Sequence, residues 1–221
     1  MKATAIAHPN VAFIKYWGRK DEKLRLPTNG SLSMNVSAFE TKTTVEFSES
    51  FTEDSVQIDD QHIFDEAERV VAHLNRIRKI ANISLKAKVM SVNNFPSGTG
   101  LSSSSSGFAA LTVAAAKAAG LSLSEKELSI LARQGSGSAC RSIPDGFVEW
   151  VDAETSEESY AESIFPADYW DIVDIVAVVS TEKKDISTSK GMLLAQTSPF
   201  FTVRNNHMKE KLKNLLKVLL N

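Results

Sequence analysis

The stretch PSGTGLSSSSSGFAAL, residues 96–111, decides the fold because it joins a strand pattern to a helix pattern. Residues 85–92 before it alternate between apolar and polar, and residues 107–120 are rich in alanine, the strongest helix former. Glycines in a turn let the backbone approach a ligand closely, and the first N–H groups of a helix attract anions. The stretch therefore predicts a phosphate-binding loop between a strand and a helix.

A flexible connector is the alternative interpretation of the serine run, because serine- and glycine-rich runs are typical of linkers. The loop is short, however, and an apolar helix pattern follows it at once, which favours the phosphate loop. The Walker pattern is absent from this stretch, since no Gly-Lys-Ser/Thr follows its glycines. We therefore expect a phosphate loop of another kind.

Strand patterns occur on both sides of this loop. The alternating segment 31–37 and the β-branched segment 41–47 predict an antiparallel pair. Residues 147–151 and 171–179 also have the composition of strands, and the second of these is apolar enough to lie inside the protein.

Helix patterns alternate with these strands. Apolar residues at three- and four-residue spacing predict a helix over 63–77. Ser124 and Glu127 predict a capping box at the start of another helix. Ser198 as the cap and Pro199 at the first helical position predict a basic amphipathic helix. Together these patterns predict an α+β protein.

Composition excludes several classes of function. The 221 residues are 43% hydrophobic and 24% charged, which is typical of a globular protein with a sizeable core. The formal net charge of -2 gives no electrostatic reason to expect nucleic acid or an anionic membrane as a partner. The single cysteine, Cys140, excludes an intramolecular disulfide. No segment has the pattern of a signal peptide or a membrane span, so we expect a cytoplasmic protein.

Four ordered motifs carry a family resemblance. The loop, with Pro96, Gly98, Gly100, Leu101, Ser102, Ser103 and Ser104, is similar to the P-x-x-x-G-L-x-S-S loop of the GHMP kinase superfamily. The other three are HPNVAFIKYWGRKD (8–21), RQGSGSACRSIPDGFVEW (133–150) and STSKGMLLAQTSPFF (187–201), which resemble stretches of the mevalonate diphosphate decarboxylases. The resemblance implies a GHMP-kinase-type N-terminal domain (ribosomal S5 domain 2-like) over residues 1–182. Residues 183–221 are then the beginning of a ferredoxin-like C-terminal domain.

The resemblance also implies a reaction, the ATP- and Mg²⁺-dependent decarboxylation of mevalonate 5-diphosphate to isopentenyl diphosphate. Phosphorylation of the tertiary 3-hydroxyl replaces a poor leaving group by a good one, and phosphate and CO₂ then depart. Arg141 can fix a carboxylate through both terminal nitrogens, and the family resemblance assigns this role to it, assisted by Asn10. Ser104 and Lys15 complete the implied catalytic set, and Ser104 is the implied Mg²⁺ ligand.

The remaining implied site residues fall into two groups. Nucleotide binding is implied for the seven loop residues named above. Substrate binding is implied for Tyr16, Trp17, Gly18, Arg19, Ser136, Gly137, Ser138, Ala139, Cys140, Arg141, Ser189 and Thr197.

The sequence departs from the family in two respects. The family's catalytic aspartate lies in a later stretch that these residues do not contain, which predicts a shortened form or a second half supplied by another polypeptide. We therefore expect weak activity from the chain alone, homodimers in the full-length family, and an exposed apolar stripe on the last helix (Met208, Leu212, Leu215, Leu216 and Leu219). Arg19 stands where lysine is common in the family. Whether the substrate carries one phosphate or two therefore stays open. Two further functions stay open, a small-molecule kinase without decarboxylation and an inactive nucleotide-binding remnant.

Overall fold

A computed structural model describes residues 1–59, 64–96, 100–177 and 188–219. The strands are β1 Lys2–Ala7, β2 Asn10–Ile14, β3 Arg19–Asp21, β4 Leu26–Pro27, β5 Ser31–Asn35, β6 Thr41–Ser48, β7 Ser55–Ile58, β8 Lys86–Asn93, β9 Phe147–Trp150 and β10 Ala161–Phe165. The helices are α1 Phe64–Ala81, α2 Ser103–Ala118, α3 Glu125–Gly135, α4 Thr188–Ala195 and α5 Phe201–Leu219, with a 3-10 helix at Gly137–Ser142.

The strands form two four-stranded sheets and a small hairpin. The first sheet has the order β1-β6-β8-β7 and is antiparallel except for the β7–β8 pair, which α1 connects in parallel. The second sheet has the order β10-β9-β5-β2 and is antiparallel throughout. Strands β3 and β4 pair only with each other among the described strands.

The main core lies between the first sheet and helices α1, α2 and α3. Strand β6 alternates, so Val45 and Phe47 point inward and are fully buried, and Leu74 of α1 packs into the same cluster. Helix α2 contributes mostly alanines, whose small side chains let the helix axis lie close to the sheet. Helix α2 packs against β1 and β6, and this packing fixes the position of its first turn relative to the first sheet.

A second, smaller core joins the second sheet to α4. Tyr16, Cys140, Trp150 and Met192 are each at most 4% exposed and pack together. The indole N–H of Trp150 donates to the hydroxyl of Ser159 at 3.0 Å, so the buried ring has its polar partner. The segment around Tyr16 is thereby held against both the 3-10 helix and α4.

Several elements predicted from the sequence are confirmed. The helix over 63–77 corresponds to α1, and the strand before the serine loop corresponds to β8. Ser124 and Glu127 form both reciprocal bonds of a capping box at the start of α3. Gly120 follows α2 with φ +78°, the left-handed conformation expected of a residue after a helix end.

The predicted pairing of segments 31–37 and 41–47 is wrong. Strand β5 pairs with β2 and β9, whereas β6 pairs with β1 and β8, so the two neighbours in sequence lie in different sheets. The physical reason is side-chain complementarity with distant strands: Thr43 of β6 shares a buried hydroxyl contact of 2.9 Å with Ser91 of β8.

The strand predicted over 171–179 is also wrong for its described part. Residues 171–177 have no regular structure, and Val173 and Ile175 are 77% and 87% exposed. Asp171 and Asp174 interrupt the apolar run, which disfavours an interior strand. Residues 178–187, and with them the predicted domain boundary at 182/183, lie outside the described residues.

The last helix starts later than predicted and buries a different face. Ser198 and Pro199 form a turn, and α5 begins at Phe201, whose N–H donates to the carbonyl of Ser198 at 3.0 Å. Helix α5 packs against the β2 region, which makes the predicted exposed stripe wrong. In that stripe Met208 and Leu219 are buried and Leu212, Leu215 and Leu216 are partly buried. The exposed apolar residues of this region are instead Phe200, Val203 and Val218.

Within the described ranges, no helix is both long and apolar enough to cross a membrane.

Candidate active site

The serine run forms the first turn of α2 rather than a loop before it. Ser102 has φ 59° and ψ 31°, a left-handed conformation, and its carbonyl accepts bonds from the backbone N–H and the hydroxyl of Ser105 at 2.8 and 2.6 Å. The side chain of Ser102 makes no capping hydrogen bond to this helix start. The first N–H groups of α2 and the positive end of its dipole suit an anionic ligand.

A cleft lies beside this turn, between the first sheet and helices α1 and α2. Its lining includes Thr41, Thr43, Ser91 and Asn93 from the sheet, Glu66 and Arg69 from α1, and Ser103, Ser104, Gly107 and Phe108 from α2. Hydroxyls of Thr41 and Ser106 lie 2.6 Å apart and tie the sheet to the helix start. The mixed polar and apolar lining is typical of a small-molecule site.

A hydroxyl contact joins the first turn of α2 to the predicted substrate loop. The hydroxyl oxygens of Ser104 and Ser136 lie 3.5 Å apart. Ser136 ends α3 and begins the 3-10 helix that carries Arg141. The structure therefore brings together two motifs that are separated by 32 residues in sequence.

Arg141 is buried and held in a fixed orientation. Its Nε donates to the Ser33 hydroxyl at 3.0 Å, one terminal nitrogen donates to the Ser31 hydroxyl at 2.7 Å, and the other to the Asn10 side-chain oxygen at 2.9 Å. The Asn10 amide donates in turn to the hydroxyl of Ser142 at 2.8 Å. These contacts use three of five guanidinium N–H groups, which leaves one N–H on each terminal nitrogen for a carboxylate.

Burial lowers the pKa of Arg141, because the charged guanidinium has lost its contact with solvent. Among the described residues, its hydrogen-bond acceptors are neutral oxygens and none is a carboxylate. Its guanidinium also lies 5.7 Å from the ring of Tyr16 and 5.8 Å from that of Trp150. Aromatic faces stabilise the cation without neutralising it. An acidic ligand group would therefore meet an uncompensated positive charge here.

Tyr16 is a neutral hydroxyl in contact with the substrate loop. Burial raises the pKa of Tyr16, and the charges of Arg141 and Arg19 oppose that rise. Its ring meets Trp150 edge-on at 4.5 Å between centroids. A Cβ at Gly137 would lie 2.5 Å from the Tyr16 hydroxyl oxygen, so only glycine lets the loop approach this closely.

Arg19 connects this segment to α4. It is 8% exposed, donates to Glu22 at 2.7 Å and lies 3.4 Å from the Ser189 hydroxyl, and its carbonyl accepts from Gln196 at 2.8 Å. Its Nε is buried and has no partner among the described residues. Arg19 and Ser189, two of the residues that the family resemblance implies for substrate binding, are therefore neighbours in the structure.

A family model described as the diphosphomevalonate decarboxylase-like N-terminal domain matches residues 7–161, which include the α2 turn, Ser136 and Arg141. The chain belongs to the diphosphomevalonate decarboxylase family. The resemblance and the α+β fold that were inferred from the sequence are thereby confirmed.

Curated relatives agree with this assignment. The diphosphomevalonate decarboxylase of Aspergillus fumigatus is 38% identical over 92% of this chain and 55% of its own length. That of Homo sapiens is 38% identical over 91% of this chain and 54% of its own length. The chain thus spans about half the length of the curated relatives it matches.

Solved structures are similar over nearly the whole chain. The mevalonate diphosphate decarboxylase of Staphylococcus aureus has a TM-score of 0.89 at 35% identity and covers 99% of this chain and 67% of its own. A structure of MDDEF in complex with MVAPP, AMPPCP and magnesium has a TM-score of 0.87 at 39% identity, with 99% of this chain and 68% of that one covered.

The other site residues implied by the family are distributed unevenly. Gly18 has φ +102° and its N–H lies 3.2 Å from the Met192 sulfur, and Trp17 packs near Gly191, so both lie against α4. Tyr16, Trp17 and Gly18 lie in irregular structure between β2 and β3 rather than in a strand. The carbonyl of Lys15 accepts from Arg204 of α5 at 2.6 Å.

Some predicted residues serve the core or lie away from the site. Ala139 and Cys140 are fully buried, and burial raises the pKa of the Cys140 thiol to about 12, so both side chains belong to the core. The carbonyl of Ser138 accepts from Asn10 at 3.1 Å. Thr197 is exposed and donates to the carbonyl of Leu194 at the end of α4, so the structure does not bring it to the site.

In the loop, Gly100 has φ +108° and therefore needs to be glycine, whereas Gly98 lies outside the described residues. Pro96 is exposed and Leu101 partly buried.

Besides most of the cleft lining, sequence reasoning missed Ser31 and Ser33 at Arg141, Glu66 and Arg69 on α1, and Arg25. The two serines alternate along β5, and that period-two pattern could have revealed a polar face opposite Arg141. Nothing in the sequence singles out Arg25 or Arg69, because each is one arginine in a charged stretch. Across the described residues, no group of three His, Cys, Asp or Glu side chains could hold a metal ion.

Proposed function

We propose that the protein functions in the ATP-dependent decarboxylation of mevalonate 5-diphosphate to isopentenyl diphosphate, ADP, phosphate and CO₂. It either catalyses this reaction itself or forms the substrate- and nucleotide-binding part of the enzyme that does. The carrying observation is the contact between Ser104 and Ser136, which sets the α2 turn against the loop that presents Arg141. The related structure with MVAPP, AMPPCP and magnesium supports the same combination of ligands.

The α2 turn and the adjoining cleft are the proposed nucleotide site. The N-terminus of α2 fits the β- and γ-phosphates, because its first N–H groups and its dipole attract anions, and Ser103 and Ser104 line the cleft at that point. Because no acidic metal cluster exists in the described part of the chain, Mg²⁺ would be held by phosphate oxygens, water and the hydroxyl of Ser104. When bound, ATP supplies the phosphoryl group that turns the 3-hydroxyl into a leaving group.

Arg141 is the proposed carboxylate anchor. Its two remaining terminal N–H groups match the two oxygens of a carboxylate, and Asn10 fixes the guanidinium plane. As the C3–O bond breaks, electrons of the bond between C2 and the carboxylate form the new double bond and CO₂ leaves. Arg141 orients that bond for this electron flow before the carboxylate loses its charge.

The opposite end of the substrate is proposed to lie near Arg19. The donors for its phosphate groups are the Nε of Arg19, which has no partner among the described residues, and the hydroxyls of Tyr16, Ser136, Ser138 and Ser189. We further propose that the aspartate expected of the family comes from residues other than these 221, that the enzyme acts in the cytoplasm, and that it works as a homodimer or with a chain that completes it.

Single-turnover assays test the proposal. The protein is mixed with ATP, Mg²⁺ and mevalonate 5-diphosphate labelled at C1, and phosphate and CO₂ are followed together. We expect both products in equal amounts, at a low rate, and neither product from Arg141→Gln. A phosphorylated intermediate without CO₂ would identify a kinase, and calorimetric binding without turnover would identify a binding module. Turnover of mevalonate 5-phosphate alone would identify a phosphomevalonate decarboxylase.

A further inference from the structure

Arg25 occupies the turn between β3 and β4 and is tied to the start of the substrate loop. Its backbone has φ +52°, an uncommon conformation for a side chain of this size. Its half-buried side chain donates from Nε to the carbonyl of Gln134 at 3.2 Å. Gln134 is two residues before Ser136, whose hydroxyl faces Ser104. The turn therefore places a guanidinium close to the junction of the two proposed ligand sites.

A second guanidinium converges on the same backbone. Arg69 of α1 donates to the carbonyl of Gly135 at 3.4 Å and lies 4.9 Å from the ring centroid of Phe108. Arg25 and Arg69 thus bind the carbonyls of consecutive residues. Each uses a neutral acceptor, and no ion pair within the described ranges includes either side chain.

The charges around Arg25 are mostly of its own sign. Burial, together with the positive charges of Arg19, Arg69 and Arg76, lowers the pKa of Arg25 to about 10, and Tyr16 is the one group that opposes this. Arg69 has Glu66 nearby, which offsets part of its charge. Arg25 itself has no ion-pair partner among the described residues, and this partly desolvated cation among other cations is an unfavourable arrangement that an anion would relieve.

The neighbours of Arg25 favour the substrate over the nucleotide as the source of that anion. Tyr16 and Arg19 belong to the proposed substrate segment, and the Nε of Arg19 is buried without a partner among the described residues. Arg69 and Glu66 line the nucleotide cleft, whereas Arg25 is not part of that lining.

We propose that Arg25 is a specificity-determining residue that binds the distal phosphate of a diphosphate substrate, together with Arg19. The proposal rests on the function proposed above, and it assigns Arg25 a contact that a monophosphate does not reach. Arg25 thereby selects mevalonate 5-diphosphate over mevalonate 5-phosphate.

Equilibrium binding tests this without requiring turnover. Calorimetric affinities for mevalonate 5-diphosphate and mevalonate 5-phosphate are measured for the wild type, Arg25→Gln and Arg25→Lys. Lys23→Gln is the matched control, since it removes the same charge from an exposed position in the same turn. One charge-assisted hydrogen bond corresponds to about a ten- to hundredfold loss of diphosphate affinity in Arg25→Gln.

We expect the monophosphate affinity of Arg25→Gln to stay within about threefold of the wild type, Arg25→Lys to recover much of the diphosphate affinity, and Lys23→Gln to bind both ligands normally. Equal losses for both ligands, or no loss for either, would overturn the assignment. Because a destabilised variant would bind both ligands more weakly, the thermal unfolding of each variant is also measured. If the wild type binds diphosphate but releases no CO₂, the proposed function fails while this assignment is still decided by the affinities.

Discussion

Replacement of Gly137 by alanine is expected to displace Tyr16. The added Cβ would lie 2.5 Å from the hydroxyl oxygen and 3.2 Å from Cζ of Tyr16. The first of these distances is about 1 Å shorter than an unstrained contact of about 3.5 Å. Tyr16 has little room to move, because it is 4% exposed and its ring contacts Trp150.

The expected magnitude follows from overpacking. Forcing a methyl group into a filled core costs about 1–3 kcal/mol, which for a chain of this length corresponds to a fall in Tm of roughly 2–12 °C. Thermal unfolding followed by circular dichroism measures this change. Because the displaced hydroxyl belongs to the proposed substrate site, we also expect at least a tenfold weaker affinity for mevalonate 5-diphosphate.

A double-mutant cycle with Tyr16→Phe isolates the cause. Removing the hydroxyl eliminates the 2.5 Å contact, so Gly137→Ala should cost less when it is combined with Tyr16→Phe, with a coupling of about 1 kcal/mol or more. Gly107→Ala is the stability control, since a Cβ there meets nothing within 4 Å and alanine favours a helix. Additive effects of the two substitutions, within about 0.5 kcal/mol, would refute the steric argument.

Three further predictions concern buried titratable groups. Arg141→Lys should lower stability by about 2 kcal/mol or more in urea unfolding, because the donors of an ammonium all lie on one nitrogen, whereas the three buried acceptors are spaced around three nitrogens of the guanidinium; an unchanged midpoint would contradict this. Burial lowers the pKa of His73 to about 3, so its neutral form stabilises the fold fully above pH 6.5, and stability should fall by up to about 1.4 kcal/mol per pH unit from there towards pH 3. His73→Leu should flatten that slope in urea titrations at each pH, and a slope identical to the wild type would exclude His73 as its source. Cys140 should not react with a thiol reagent at pH 8 until the protein is unfolded, because the thiol is buried and its pKa is raised to about 12; rapid labelling of the native protein would refute its burial.

The sequence predicts the local elements of this fold better than their partners. The 3.6-residue period of α1 and the capping box of α3 are encoded within single segments, so they can be read directly. The partners of β5 and β6 lie far away in sequence, as far as from Ser31 to Trp150, and no local pattern encodes them. Residues 171–177 illustrate the same limit, since an apolar composition predicts burial only where another surface is present to cover it.

The candidate site shows the same division. Ser104 and Arg141 belong to contiguous motifs, and their family resemblance identified them. The arginines at 25 and 69 come from a hairpin and a helix that meet only in three dimensions, at the carbonyls of residues 134 and 135. A site residue of this kind has no sequence signal when a single chain is considered.

Net charge and local charge lead to different conclusions for this protein. A formal charge of -2 argues against a basic surface that attracts anions from a distance. Arg19, Arg25, Arg69 and Arg141 nevertheless place guanidinium groups in buried or half-buried positions around the two proposed ligand sites. Solvent and salt screen such groups less than surface charges, so each can contribute more to binding than an exposed arginine would. Anion recognition in this chain therefore depends on where its few desolvated cations are held, and the turn that holds Arg25 and the hydroxyls that hold Arg141 matter as much as the cations themselves.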